Sequence, residues 1–159
     1  MNIVLVVEGT LKSPVSEAPI VAGVGLYKAL VEVEHRLFLL CEQLDEVLRD
    51  WLKYNCLPGF VGLAQIQAAD LQDATLHRTL GRLRITGPVD LVIDADPGRC
   101  ADSFRHGYTV LPFLAPAYAR PQWRPDHDAS PRPWDVLEAE VRRQRALDAA
   151  ARAAKNEEE

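Results

Sequence analysis

"IVLVVEGTLKS", residues 3–13, decides how the chain folds. Five apolar residues run into an acid, a glycine and a threonine. A continuous apolar run, rather than an alternating one, suits a parallel strand covered on both faces. The polar turn that follows suits a loop at the strand's carboxyl end, where open α/β sheets bind ligands.

Two more runs have this character, RLFLLC at 36–41 and VDLVID at 89–94. A fourth, YTVLPFL at 108–114, carries Pro112, which weakens its far half as a strand. Helical spacing separates them. Leu26, Leu30 and Val33 form one stripe, Leu44, Val47, Leu48, Trp51 and Leu52 a second, and Leu76, Leu80 and Leu83 a third. Pro97 is placed to open a fourth helix, running to about His106 and stopped by Gly107. Strands alternating with helices predict an open α/β sheet. LPGFVGL (57–63) has room for a short strand at Phe60 to Leu63.

Beyond residue 114 the pattern changes. Residues 115–133 are rich in proline and lack periodicity, so they read as an extended surface loop, pinned by Tyr118 and Trp123. From Trp134 the spacing turns helical and ends in a fraying acidic tail. The reading is therefore a 1–114 core, a 115–133 loop and a 134–159 C-terminal helix with its tail.

A chain of 159 residues, 48% apolar, is long enough for one domain with a real core. Its net charge of −5, with both signs interspersed, does not favour a polyanion-binding surface. Arg142, Arg143 and Arg145 alternate with Glu138, Glu140 and Asp148, a pattern of pairing on a solvated face. Nucleic acid is not an expected partner. No run approaches the roughly 18 apolar residues of a membrane span, and the N-terminus lacks the basic start of a signal peptide. The expected location is cytoplasmic, with no membrane partner. Cys41, Cys56 and Cys100 include no C-x-x-C pair, so they read as free thiols, buried or half-buried.

VVEGTL, then LFLLC, then VDLVIDADPGRCADSFRHGYTVL together resemble the haloacid dehalogenase (HAD) superfamily, over roughly residues 2–114. The 115–134 tail further resembles HAD-like proteins encoded by actinobacterial phages. The resemblance implies a Rossmann-like sheet of about five mostly parallel strands in the order 3-2-1-4-5, with flanking helices and no large cap. Lys12 to Gly25 would connect the first strand to the first helix, room for a short flap only.

The family's first motif is D-x-D-G-T. Its first Asp attacks phosphorus, and Val6 stands in that place. Glu8 stands at the general acid/base, one methylene too long, and displacement on that scale costs about 100-fold. Thr10 matches the phosphate-side Thr. Cys41 stands where a Thr or Ser should donate to phosphate, and a thiol is a poor donor. Asp94 and Asp96 match the acidic fourth motif that holds Mg²⁺. Without an acid at position 6, Asp94 loses its main partner and Mg²⁺ affinity should be poor; no other cofactor is implied. The expected phosphate-neutralising Lys is missing before residue 89, and Arg82 and Arg84 sit where helices show arginines to water.

Other signals have plainer readings. His35 and His106 suit capping or solvent, His77 suits exposure, and His127 lies in a proline-rich surface turn. Cys100 suits core packing. Cys41 at the rim would be a nucleophile only if its pKa fell.

Three functions compete. The first is a catalytically impaired HAD-like module, binding or regulatory, with a macromolecular partner at the old rim. The second is a weak Mg²⁺-dependent phosphohydrolase using Glu8, Asp94 and Asp96. The third is a structural interaction protein that docks through its C-terminal helix, as monomer or homodimer.

Overall fold

The computed structural model describes residues 1–14 and 16–113, with Ala139, Arg142 and Arg143 beyond them. Those last three are helical. The 115–133 loop, with Tyr118, Trp123 and His127, and most of the 134–159 helix and tail lie outside the described residues.

Five strands form one parallel sheet: β1 (Asn2–Val6), β2 (Arg36–Cys41), β3 (Gly62–Gln65), β4 (Leu91–Asp94) and β5 (Val110–Pro112). Their spatial order is β3-β2-β1-β4-β5, as expected. Helices α1 (Val21–Glu32) and α2 (Glu46–Tyr54) follow β1 and β2. Helices α3 (Ala68–Asp73) and α4 (His77–Leu83) link β3 to β4, and α5 (Pro97–Arg105) links β4 to β5.

Alternation along β1 explains its apolar run. Ile3 and Leu5 face a core containing Leu37, Leu39, Tyr27, Leu48 and Leu52, the side carrying α1 and α2. Val4 and Val6 face a second core with Leu40, Val92, Leu76 and Leu80, the side carrying α4. From Ile3 to Val6 neither face of β1 meets water, so that stretch has no polar residue.

Some boundaries differ from the sequence reading. β3 begins at Gly62 rather than Phe60. The ladder with β2 starts at the Phe38–Gly62 pair, and one bond, from Val61 N–H to the Leu37 carbonyl, precedes it. α1 starts at Val21, so the Lys12–Gly25 connection ends inside what is helix. The extra turn is permitted by close packing: a Cβ on Gly23 would lie 1.7 Å from the Thr10 carbonyl oxygen. α3 had no counterpart in the stripes, since its only large apolar residue is Leu71. Val33, just past the end of α1, and Val47 in α2 are exposed. Cys56 is exposed as well, not half-buried: it follows the last turn of α2 with φ of 51° and points outward.

Candidate functional site

The carboxyl ends of β1, β2 and β4 meet at one rim. After β1 the chain turns tightly, with Leu11 and Lys12 N–H both bonded to the Val7 carbonyl and Gly9 N–H to the Lys12 carbonyl. Gly9 has φ of +82°, and a Cβ there would sit 2.6 Å from the Ala95 Cβ. The Glu8–Thr10 turn therefore abuts the loop after β4, and only glycine fits both the angle and the space.

Asp94 ends β4 and is wholly buried. Ile93 pairs with Leu5, so Asp94 lies next in line to Val6, on the face that carries α5. Its two oxygens hold one side chain. Arg99 Nε donates to Oδ2 at 2.8 Å and Nη2 to Oδ1 at 3.1 Å. This is the forked geometry in which a guanidinium matches a carboxylate. Arg99 Nη1 then donates to Glu42 Oε1 at 3.0 Å. The Glu42 N–H donates to Glu8 Oε2 at 3.1 Å, and the Glu42 carbonyl accepts from Gln65 Nε2 at 3.0 Å. One network thus ties the ends of four strands together.

Local sequence explains why Arg99 arrives there. Asp96 is the N-cap of α5, its Oδ1 accepting from Arg99 N–H at 2.8 Å, and Pro97 opens the helix. Side chains lean toward a helix's N-terminus, so Arg99 in the first turn reaches back over the end of β4. Asp96 N–H donates to Asp94 Oδ1 at 3.0 Å.

Burial pushes the Asp94 carboxyl above its usual range, with Arg99 pulling against it. Burial would lower the Arg99 pKa, but the Asp94 carboxylate outweighs it and holds the guanidinium above its ordinary value. Burial also raises Glu8, opposed by backbone N–H groups.

The other residues expected at the rim have different neighbours. Val6 is fully buried among Val4, Leu40 and Val92. The Thr10 hydroxyl is buried and donates to the Val6 carbonyl, so it is turned into the loop. Cys41 faces the opposite side of the sheet, in the α1/α2 core, its Sγ 3.4 Å from the Ala64 carbonyl. Burial, with Glu8 and Asp45 nearby, pushes its thiol up to about 12, which removes the thiolate a nucleophile requires. Arg82 and Arg84 are exposed, with the Arg84 guanidinium over the Tyr108 ring.

No family model matches the chain, and a search of curated proteins finds none similar to it. The donor set does not fit Mg²⁺: both Asp94 oxygens are spent on a guanidinium, Asp96 Oδ1 is spent on a helix cap, and a fixed positive charge stands beside them. Arg99, the residue that organises the rim, lies after β4, whereas the resemblance places the cation before it. The signal was there in D-A-D-P-G-R: a capping Asp, a first-turn Pro and an Arg two residues on.

Proposed function

We propose that the chain is a catalytically impaired HAD-like domain that serves as a binding or regulatory module with a macromolecular partner. The observation that carries this reading is the Asp94–Arg99–Glu42 network. In it a permanent organic cation neutralises the carboxylate that would otherwise hold Mg²⁺. Val6 adds to it, since a buried isopropyl group next to Asp94 offers phosphorus no nucleophile. Among the described residues the short 7–20 connection supplies no separate cap to the rim, which suits a large partner better than a small enclosed substrate.

The runner-up is a weak Mg²⁺-dependent phosphohydrolase, favoured by one observation: burial raises Glu8, and a raised carboxyl keeps a proton more readily for transfer. One experiment separates the two. The protein is incubated with p-nitrophenyl phosphate and a panel of nucleotides, with Mg²⁺ or Mn²⁺. No turnover above buffer, and no change in melting temperature at millimolar metal, is the expected result. Turnover that disappears in Glu8→Gln, a partly exposed position that should tolerate the change, would replace the first reading with the second.

A further inference from the structure

On the sheet face carrying α4 and α5, three metal-ligating side chains converge away from the residues described so far. His77 is the first residue of α4; Asp102 and His106 are one turn apart at the end of α5. Asp102 is buried, while His77 and His106 are partly open to solvent. His77 Nδ1 lies 3.3 Å from Asp102 Oδ2, and His106 Nδ1 lies 3.3 Å from Asp102 Oδ1. The two imidazoles stack, with centroids 4.5 Å apart and planes 17° from parallel. One ligand atom from each of the three residues falls within 4.8 Å of the others.

We infer that His77, Asp102 and His106 form a binding site for a divalent transition-metal ion, of which Zn²⁺ is the reference case. The distances are compatible with a shared ion. Charge-assisted N–H···O bonds are about 2.7–2.9 Å long, so 3.3 Å is long for both contacts. Bonds of about 2.0–2.1 Å put two ligand atoms of one ion about 3.3–3.4 Å apart, the spacing of each histidine nitrogen from its own Asp102 oxygen, so a shared ion takes either both oxygens or one of them turned between the rings. Two nitrogens and one carboxylate oxygen suit Zn²⁺, Co²⁺, Ni²⁺ or Cu²⁺ rather than Mg²⁺ or Ca²⁺. Three protein ligands leave a fourth position for water on the solvent side.

Binding requires each neutral ring to carry its one proton on Nε2 and turn the Nδ1 lone pair to the metal. His106 Nδ1 also lies 2.9 Å from its own helix's Asp102 carbonyl, so that ring must swing off the carbonyl to ligate. Asp102 is already held: its Oδ2 is 3.4 Å from Leu76 N–H, at the start of a helix whose own N-cap residue has no capping side chain. The bound ion would strap α4 to α5.

The test uses the full chain, free of any histidine tag. Zn²⁺ titrated calorimetrically at pH 7.5 should bind one equivalent and raise the melting temperature. Co²⁺ should give the intense visible absorption of a four-coordinate site. The His77→Ala/His106→Ala double variant, both positions partly exposed, should fold as judged by circular dichroism. It should bind more than about 100-fold more weakly, beyond the 10–100-fold that loss of an outer-shell partner costs. Cys56→Ser, which removes the exposed thiol, should bind like the parent. Absence of a one-equivalent site tighter than millimolar, or binding that survives the double histidine change or vanishes in Cys56→Ser, overturns the inference.

Discussion

At the residue scale the molecule turns on Arg99. Its guanidinium is almost fully buried and meets Asp94 through two hydrogen bonds and Glu42 through a third. Cutting it back leaves a buried carboxylate with no counter-charge. Arg99→Ala should therefore destabilise the fold by about 3–5 kcal/mol, read as a lower midpoint in urea. Replacing both partners by apolar residues of similar volume, Asp94→Leu with Arg99→Met, should recover most of that loss, because the desolvation of two charges is then no longer incurred. A double variant as unstable as the single would mean that the fork holds the rim together in some way beyond charge pairing. The sequence let Asp94 and Asp96 be found, because acids after an apolar strand are conspicuous. It did not let their roles be found, since whether an acid faces a metal, a helix end or a guanidinium depends on a side chain's direction. Direction becomes readable only once the first turn of α5 is fixed.

At the element scale, the strands were legible wherever both faces are covered. β1, β2 and β4 are unbroken apolar runs because helices lie on each side of them. β3 starts two residues later than its sequence suggests, and α3 leaves no mark in the sequence pattern, because edge and linking elements have too few apolar residues to show a period. Two contacts hold these less legible parts. Gly23 lets α1 press on the Thr10 carbonyl. In an open helix Gly→Ala gains about 1 kcal/mol; here the new methyl meets fixed backbone, so Gly23→Ala should instead cost about 1–3 kcal/mol by thermal denaturation. Asp70, buried, accepts from Thr79 N–H at 2.7 Å, from the Thr79 hydroxyl at 2.6 Å and from the Thr75 hydroxyl at 3.1 Å. Burial pushes its carboxyl up, but these donors together outweigh it and leave the pKa below the usual value. A depressed pKa stabilises the fold fully above about pH 3.9, and that contribution fades as pH falls through the lower folded value. Asp70→Asn should thus be less stable at neutral pH and show a shallower loss of stability below about pH 4, measured by urea midpoints across the acid range.

At the scale of the whole molecule, two cores share one sheet with β1 at its centre. Amide hydrogen exchange should be slowest in β1, β2 and β4, whose strands are bracketed by neighbours, and faster in β3 and β5 at the edges. Equal protection across all five strands would show that the edges are covered by something beyond the described residues. Among those residues no helix is long and apolar enough to cross a membrane.

The position of β1 has a consequence for how the polypeptide is made. One side of β1 is satisfied by β2, about a quarter of the way along the chain, but the other waits for β4, where Ile3 meets Leu91. A nascent or prematurely terminated chain that stops short of residue 91 presents its most oily strand with a bare row of amides and carbonyls. Such a row is a template for sticking to its own kind. Fragments ending in that interval should therefore gather into inclusion bodies, while slightly longer ones should not.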